Sequence, residues 1–164
     1  MTGPPVLWHF PISHYNEKAR WALDWKRIPH VRRALAMSYV PRALWATGQA
    51  KLPILFLDGQ AIADSTRIIE ALERLQPDPP LYPRDEAELR PSGYLVGDRF
   101  SVADLTAAAL LAPVVFPPEF PYRPPGPLPA PVARWRDSLA SRPAGRWAAE
   151  MYRRHRGTSA EIAA

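Results

Sequence analysis

Twenty-one of the 164 residues are proline, and their placement limits what this chain can build. Proline lacks a backbone donor and disrupts a helix interior, so long helices and central strands must lie between prolines. Pro29 ends a first helical stretch and Pro77 ends a later one, while residues 113–131 hold nine prolines and read as an extended loop. Val6–Phe10, after Pro4 and Pro5, reads as a short apolar strand. Ser13 is placed to cap a helix in which Ala19, Ala22 and Leu23 fall at helical spacing, with Tyr15, Glu17, Lys18 and Asp24 around them. His30–Met37 is a weaker strand anchored by Val31 and Leu35, and residues 38–50 are a loop or a short helix. Lys51–Leu57 reads as a strand preceded by proline, Pro53. Asp58-Gly59 is a two-residue hairpin signal, and Gln60–Ile62 returns as the partner strand. Asp64 and Ser65 open a helix, Thr66–Leu75, whose Ile68, Ile69, Leu72 and Leu75 form an apolar face.

The resulting order, β-α-β-α-β-β-α, implies an α/β domain over residues 1–77. Its first two strands are joined by a helical crossover and run parallel, and its last two form an antiparallel hairpin. Residues 78–97 read as a linker. Residues 98–164 read as helical: Ser101-Val102-Ala103-Asp104 resembles a capping box before Leu105–Ala112, and Pro131–Ala140 and Arg142–Arg154 follow as two further helices.

Cysteine is absent, which removes disulfides, thiolate nucleophiles and zinc–thiolate sites together. The histidines, His9, His14, His30 and His155, show no metal-binding spacing, so no metal is expected. No apolar run reaches the roughly 18 to 20 residues of a membrane span. No secretory signal is visible, and a cytoplasmic location is the expectation. The net charge of +5 comes from 18 arginines and 3 lysines against 16 acidic residues. With so many prolines and alanines, that excess reads as the coding bias of a GC-rich genome. The Arg153-Arg154-His155-Arg156 cluster reads as a helix C-terminus facing water, so nucleic acid is disfavoured as a partner.

Three segments together resemble the glutathione transferases and their bacterial relatives. Phe10–Asp24 is similar to the family's active-site loop and first helix. Lys51–Leu55 with Ala63–Glu70 is similar to the strand that begins with a cis-proline and to the acidic-Ser helix start. Gly97-Asp98-Arg99-Phe100-Ser101-Val102-Ala103-Asp104 is similar to the capping motif of the family's sixth helix. The resemblance implies a thioredoxin-like N-terminal domain and a shortened all-helical region. The family's two long helices ahead of the Gly-Asp-Arg-Phe-Ser segment have no room here, because about ten residues cannot make them at 1.5 Å rise per residue.

The resemblance also implies roles for particular residues. Ser13, as in Ser-type relatives, would donate to the sulfur of bound glutathione and favour its thiolate; read alone it is a plain N-cap. Tyr15 is an alternative donor or a buried aromatic. Leu52, before a cis Pro53, would pair its backbone with the cysteinyl part of glutathione. Asp64 and Ser65 would hold the γ-glutamyl end at a helix start, or simply cap it. Lys51 could meet the glycyl carboxylate or stand in solvent, and the tryptophans are read mostly as packing residues. Ser101 and Asp104 are structural. The function implied is a transferase that conjugates glutathione, as co-substrate, to a small electrophile. The alternative is a truncated member that binds thiol or a partner without catalysis. A homodimer stays open.

Overall fold

The computed structural model describes residues 3–82, 92–123 and 126–163. The chain separates into two compact units, Met1–Pro79 with Thr158–Ala164, and Pro80–Gly157. Of the expected linker, residues 83–91 lie outside the described residues.

The first unit is built on four strands, β1 (Val6–His9), β2 (Val31–Ala34), β3 (Ile54–Leu57) and β4 (Gln60–Ala63), in the sheet order β2-β1-β3-β4. β1 runs parallel to β2, with Val6 opposite Val31, and antiparallel to β3, with Trp8 opposite Ile54. β3 and β4 form the expected hairpin. Asp58 (φ 46°) and Gly59 (φ 80°) both take positive φ in its turn, as a two-residue loop matched to strand twist requires.

Helices α1 (His14–Trp25) and α3 (Ser65–Leu75) supply the apolar faces that meet the sheet. Ala19, Ala22, Leu23, Ile68, Ile69 and Leu72 are fully buried together with Leu7, Ile54 and Leu55. Residues 38–50, read as a loop or short helix, contain a one-turn 3-10 segment (Met37–Tyr39) and a helix, α2 (Val40–Thr47). Pro41 falls in the first turn of α2, where its missing N–H costs nothing, and Gly48 closes the helix at φ 69°.

The sequence reading sets the charged residues of α1 around its apolar positions, yet Glu17, Lys18, Arg20 and Asp24 are all buried. Each has a partner, which is the condition for burying charge. Glu17 pairs with Arg20 at 2.8 Å, Asp24 with Arg32 at 2.6 Å, and Lys18 donates to the Thr66 hydroxyl at 3.2 Å.

Residues after Gly157 return to this unit along the outer edge of β2. Ile162 N–H donates to the His30 carbonyl at 2.8 Å, and His30 N–H to Ala160 at 3.3 Å. Asp24 accepts from the Ala160 N–H at 2.8 Å.

The second unit contains helices α4 (Val102–Val115), α5 (Ala130–Ala140) and α6 (Pro143–His155). Among the described residues there is no helix between Leu75 and Val102. The capping box is complete: Ser101 accepts from Ala103 N–H, and Asp104 accepts from both the N–H and the hydroxyl of Ser101, at 3.0 and 2.8 Å. α4 runs past Pro113, where the sequence reading places the proline-rich loop. Pro113 lies in the last turn, where it removes the bond that an N–H there would give to Ala109, and Phe116 ends the helix three residues later at φ 47°. Segment 92–101 is pinned to the helices. Trp147 donates to Gly93, Tyr94 meets His155 Nε2 at 3.0 Å, and Leu95 N–H donates to Asp104 at 2.7 Å. Packing does not account for every tryptophan: Trp21 is fully buried, but Trp45 and Trp135 are largely exposed.

Candidate functional site

The chain enters the site through the loop between β1 and α1. Ser13 occupies the N-cap position in extended conformation (φ −74°, ψ 128°), but its side chain accepts no helical N–H. Its backbone carries the turn: Ser13 N–H donates to Phe10 at 3.2 Å and Ser13 C=O accepts from Glu17 at 2.9 Å. The plain N-cap reading is therefore met by position and not by the hydroxyl. Tyr15, on the first turn of α1, is 56% exposed, so its reading as a buried aromatic is wrong. Its ring packs on His14 with centroids 4.2 Å apart. The next three residues, Asn16, Glu17 and Lys18, are buried instead.

The second wall comes from β3 and the start of α3. The Leu52–Pro53 peptide bond is cis, and Pro53 is buried ahead of the buried Ile54. Asp64 is exposed and caps α3, its Oδ1 accepting from Thr66 N–H at 2.8 Å and Arg67 N–H at 3.3 Å. It does so at φ 77°, a conformation that non-glycine residues rarely adopt. The Ser65 N–H is not one of the two donors that Asp64 takes, and Ser65 itself is 6% exposed. Beside it, burial lowers the pKa of the Lys18 ammonium, and the Asp64 carboxylate opposes that shift.

These pieces converge on one cleft of about 410 Å³, lined by Tyr15, Tyr39, Ala50, Lys51, Leu52, Pro53, Asp64 and Ser65. Leu52, Pro53, Asp64 and Ser65, singled out in the sequence, therefore line one cleft together with the alternatives Tyr15 and Lys51. Ser13 is not among the lining residues, although it stands two positions before Tyr15. Nothing in the sequence singles out Tyr39, which the 3-10 turn brings into the cleft. Among the described residues no group of three or more His, Asp or Glu side chains could hold a metal ion.

The same order of parts is found in known proteins. A family model for the glutathione S-transferase N-terminal domain matches residues 7–80, and one for the glutathione S-transferase C-terminal domain matches residues 49–143, more than half of the chain. The chain belongs to the glutathione S-transferase family. A probable maleylacetoacetate isomerase of Caenorhabditis elegans is 33% identical over 84 residues, 49% of this chain and 39% of that protein. This glutathione S-transferase chain thus matches well under half of that relative's length.

Among solved structures, a glutathione S-transferase from Methylobacterium radiotolerans, in complex with glutathione sulfonate, superposes with TM-score 0.60 at 23% identity over 88% of this chain and 93% of that one. FzlA from C. crescentus gives TM-score 0.62 at 20% identity, over 89% and 92%. A glutathione S-transferase from Methylobacillus flagellatus with GSH bound gives 0.58 at 18%, over 88% and 98%. These likenesses establish the thioredoxin-like fold of the first unit and the three-helix region after it.

Behind the loop stands a residue the sequence reading passed over. Arg20, 0% exposed, donates from Nε to Glu17 at 2.8 Å, from Nη1 to His9 Nδ1 at 2.9 Å, and from Nη2 to the Pro11 carbonyl at 2.9 Å. A guanidinium only donates, so His9 accepts at Nδ1 and carries its proton on Nε2. Burial, followed by the positive charge of Arg20, pushes the His9 pKa down to about 3. The available signal was the Glu17–Arg20 spacing, which puts an acid and a base on one helix face.

Proposed function

We propose that the cleft of the first unit binds glutathione and that the start of α1 stabilises its thiolate for attack on a small electrophile. The observation that carries this reading is the convergence of the Leu52–Pro53 segment with Asp64 and Ser65 in one cleft. An extended peptide can pair with the Leu52 backbone as an added strand. A carboxylate is favoured at the α3 start, where the Ser65 N–H and hydroxyl are donors and the helix dipole adds positive potential. Asp64, exposed and anionic, suits the ligand's ammonium group. Lys51 suits its second carboxylate. Bound GSH and glutathione sulfonate in the two bacterial relatives support the choice of thiol.

In this reading Ser13 donates its hydroxyl proton to a hydrogen bond with the bound sulfur. That bond favours the charged form and lowers the thiol pKa. The thiol proton leaves to solvent, and the sulfur electron pair forms the bond to an electrophilic carbon as the electron pair of that carbon's bond to its leaving group, or of its π bond, departs. The hydroxyl is available for this because it caps nothing. A second reading assigns the donor to Tyr15, favoured by its place in the cleft lining. The electrophile, a cytoplasmic setting and a reaction without metal belong to the same proposal.

Calorimetric titration with reduced glutathione, beside Ser65→Ala, tests binding. Saturable binding weakened about tenfold by the substitution is expected, the loss of a charge-assisted hydrogen bond. A folded protein that shows no binding would overturn the proposal. Conjugation assays with Ser13→Ala and Tyr15→Phe then assign the donor. Binding with no turnover above the uncatalysed rate would leave a thiol-binding protein and no transferase.

A further inference from the structure

The loop from Phe10 to Ser13 has little apolar anchorage: Ile12 is 46% exposed, and Pro11 and Ser13 are half-buried. Its backbone polar groups are instead held from behind by α1. Phe10 N–H donates to Asn16 Oδ1 at 3.1 Å. The Phe10 carbonyl accepts from Arg20 Nη1 at 3.4 Å, and the Pro11 carbonyl from Arg20 Nη2 at 2.9 Å. Asn16, Glu17 and Arg20 lie at i, i+1 and i+4, and so share one side of the helix. Glu17 and Arg20 are both 0% exposed. Desolvating such a pair is expensive, and apolar residues of similar volume often give equal or greater stability. Stability is therefore a weak reason for the pair. Geometry is a stronger one. A planar fork with fixed donor directions engages Glu17, His9 and two consecutive carbonyls at once, which a lysine ammonium cannot do.

We propose that Arg20 is a positioning residue for the thiol site, fixing through the Phe10 and Pro11 carbonyls the loop that presents Ser13 to the bound sulfur. Arg20 touches no substrate. It acts through two peptide groups that precede Ser13, and Glu17 and His9 hold its plane in place. The inference rests on the reading of Ser13 as the thiolate donor. It predicts a particular division of effects. Glutathione affinity comes from Leu52, Asp64 and Ser65, on a different wall, and survives when Arg20 is replaced. Thiolate stabilisation and turnover do not.

The test uses the full chain in three forms: unaltered, Arg20→Lys, and the double variant Arg20→Met with Glu17→Met, which leaves no lone buried charge. Each is followed by glutathione titration, thermal unfolding, turnover with an aromatic electrophile, and ultraviolet titration of the bound thiol. The expected result is affinity within about twofold of the unaltered protein, a bound-thiol pKa shifted upward, and turnover lower by roughly ten- to a hundredfold, the scale of a misplaced reacting group. The double variant, which takes the donor from His9 Nδ1 and from the Phe10 and Pro11 carbonyls, is expected to unfold somewhat earlier while keeping its glutathione affinity, so its loss of turnover is not a loss of fold. Unchanged turnover and thiol pKa in either folded variant would overturn the proposal. So would affinity, stability and turnover falling together, as for a merely structural residue. Failure of the unaltered protein to bind glutathione, or to conjugate it, is read before any variant and removes the reading of the site itself, with this inference.

Discussion

The starts of α3 and α4 use the same two residue types to opposite ends. At α4, Ser101 and Asp104 close on each other at 2% and 0% exposure, and Asp104 also takes the Leu95 N–H. Nothing is left over for a ligand. At α3, Asp64 caps from an exposed position at φ 77° while Ser65 faces a cleft. One helix start is sealed and relaxed; the other is open and held in a strained conformation. Backbone strain at a residue of this kind persists only where the surroundings impose it, and it concentrates at functional sites. Burial and strain, more than residue type, separate the sealed cap from the open one.

Asp104→Ala should break the comparison most severely. It orphans the buried N–H of Ser101 and takes the acceptor from the more exposed Leu95 N–H, and a loss of about 2 kcal/mol is expected for the second unit. Urea unfolding followed by a probe in that unit checks it, and glutathione affinity should be unchanged.

The start of α1 sharpens the contrast, because its outer side is open while its inner side is as dry as α4's. Protonation of His9 is the lever. Its folded pKa, about 3, lies below the ordinary 6.5, so the unfolded chain binds a proton that the folded chain refuses. Its contribution to stability is complete above pH 6.5 and is lost as pH falls toward 3. At about pH 5 the expected loss is about 2 kcal/mol. Denaturant midpoints across that range measure it, and His9→Gln, whose amide oxygen can still accept from Arg20, should flatten the slope.

The smallest expected stability effect is at Asp64. Glycine relieves the positive φ and costs only a few tenths of a kcal/mol as a cap, so Asp64→Gly should leave the first unit within about 0.5 kcal/mol of the unaltered protein. The same change should weaken glutathione binding about tenfold through loss of the carboxylate. Equal affinity in the variant would place Asp64 with Asp104 as a cap and nothing more.

The strands and helices were legible because each has a local signature. Asp58-Gly59 dictates a hairpin, Ser101 and Asp104 a capping box, and the spacing of Ile68, Ile69 and Leu72 a buried helix face. The site was legible only as ordered motifs. Leu52, Pro53, Asp64 and Ser65 lie far enough apart along the chain that periodicity alone does not join them. Three features were not legible. Tyr15 is exposed while the next three residues, Asn16, Glu17 and Lys18, are buried on Phe10, Arg20 and Thr66, and residue type alone would have ranked them the other way. Arg20 looks like a surface residue in one dimension, since nothing local tells a buried arginine from a solvated one. α4 continues through Pro113 to Val115 despite the lost N–H, whereas the proline count of the following segment suggests an earlier stop.

The strand of chain after Gly157 gives the molecule an order of assembly. Its partners, Asp24, His30 and Arg32, are made early in synthesis, and Ala160, Glu161 and Ile162 are made some 130 residues later. Until those residues leave the ribosome, the His30 N–H and C=O just ahead of β2, and the Asp24 carboxylate, lack the bonds that the tail supplies. The second unit, contiguous in sequence, can finish folding while the first still waits for its last contacts. A premature stop within α6 would therefore damage the unit made first.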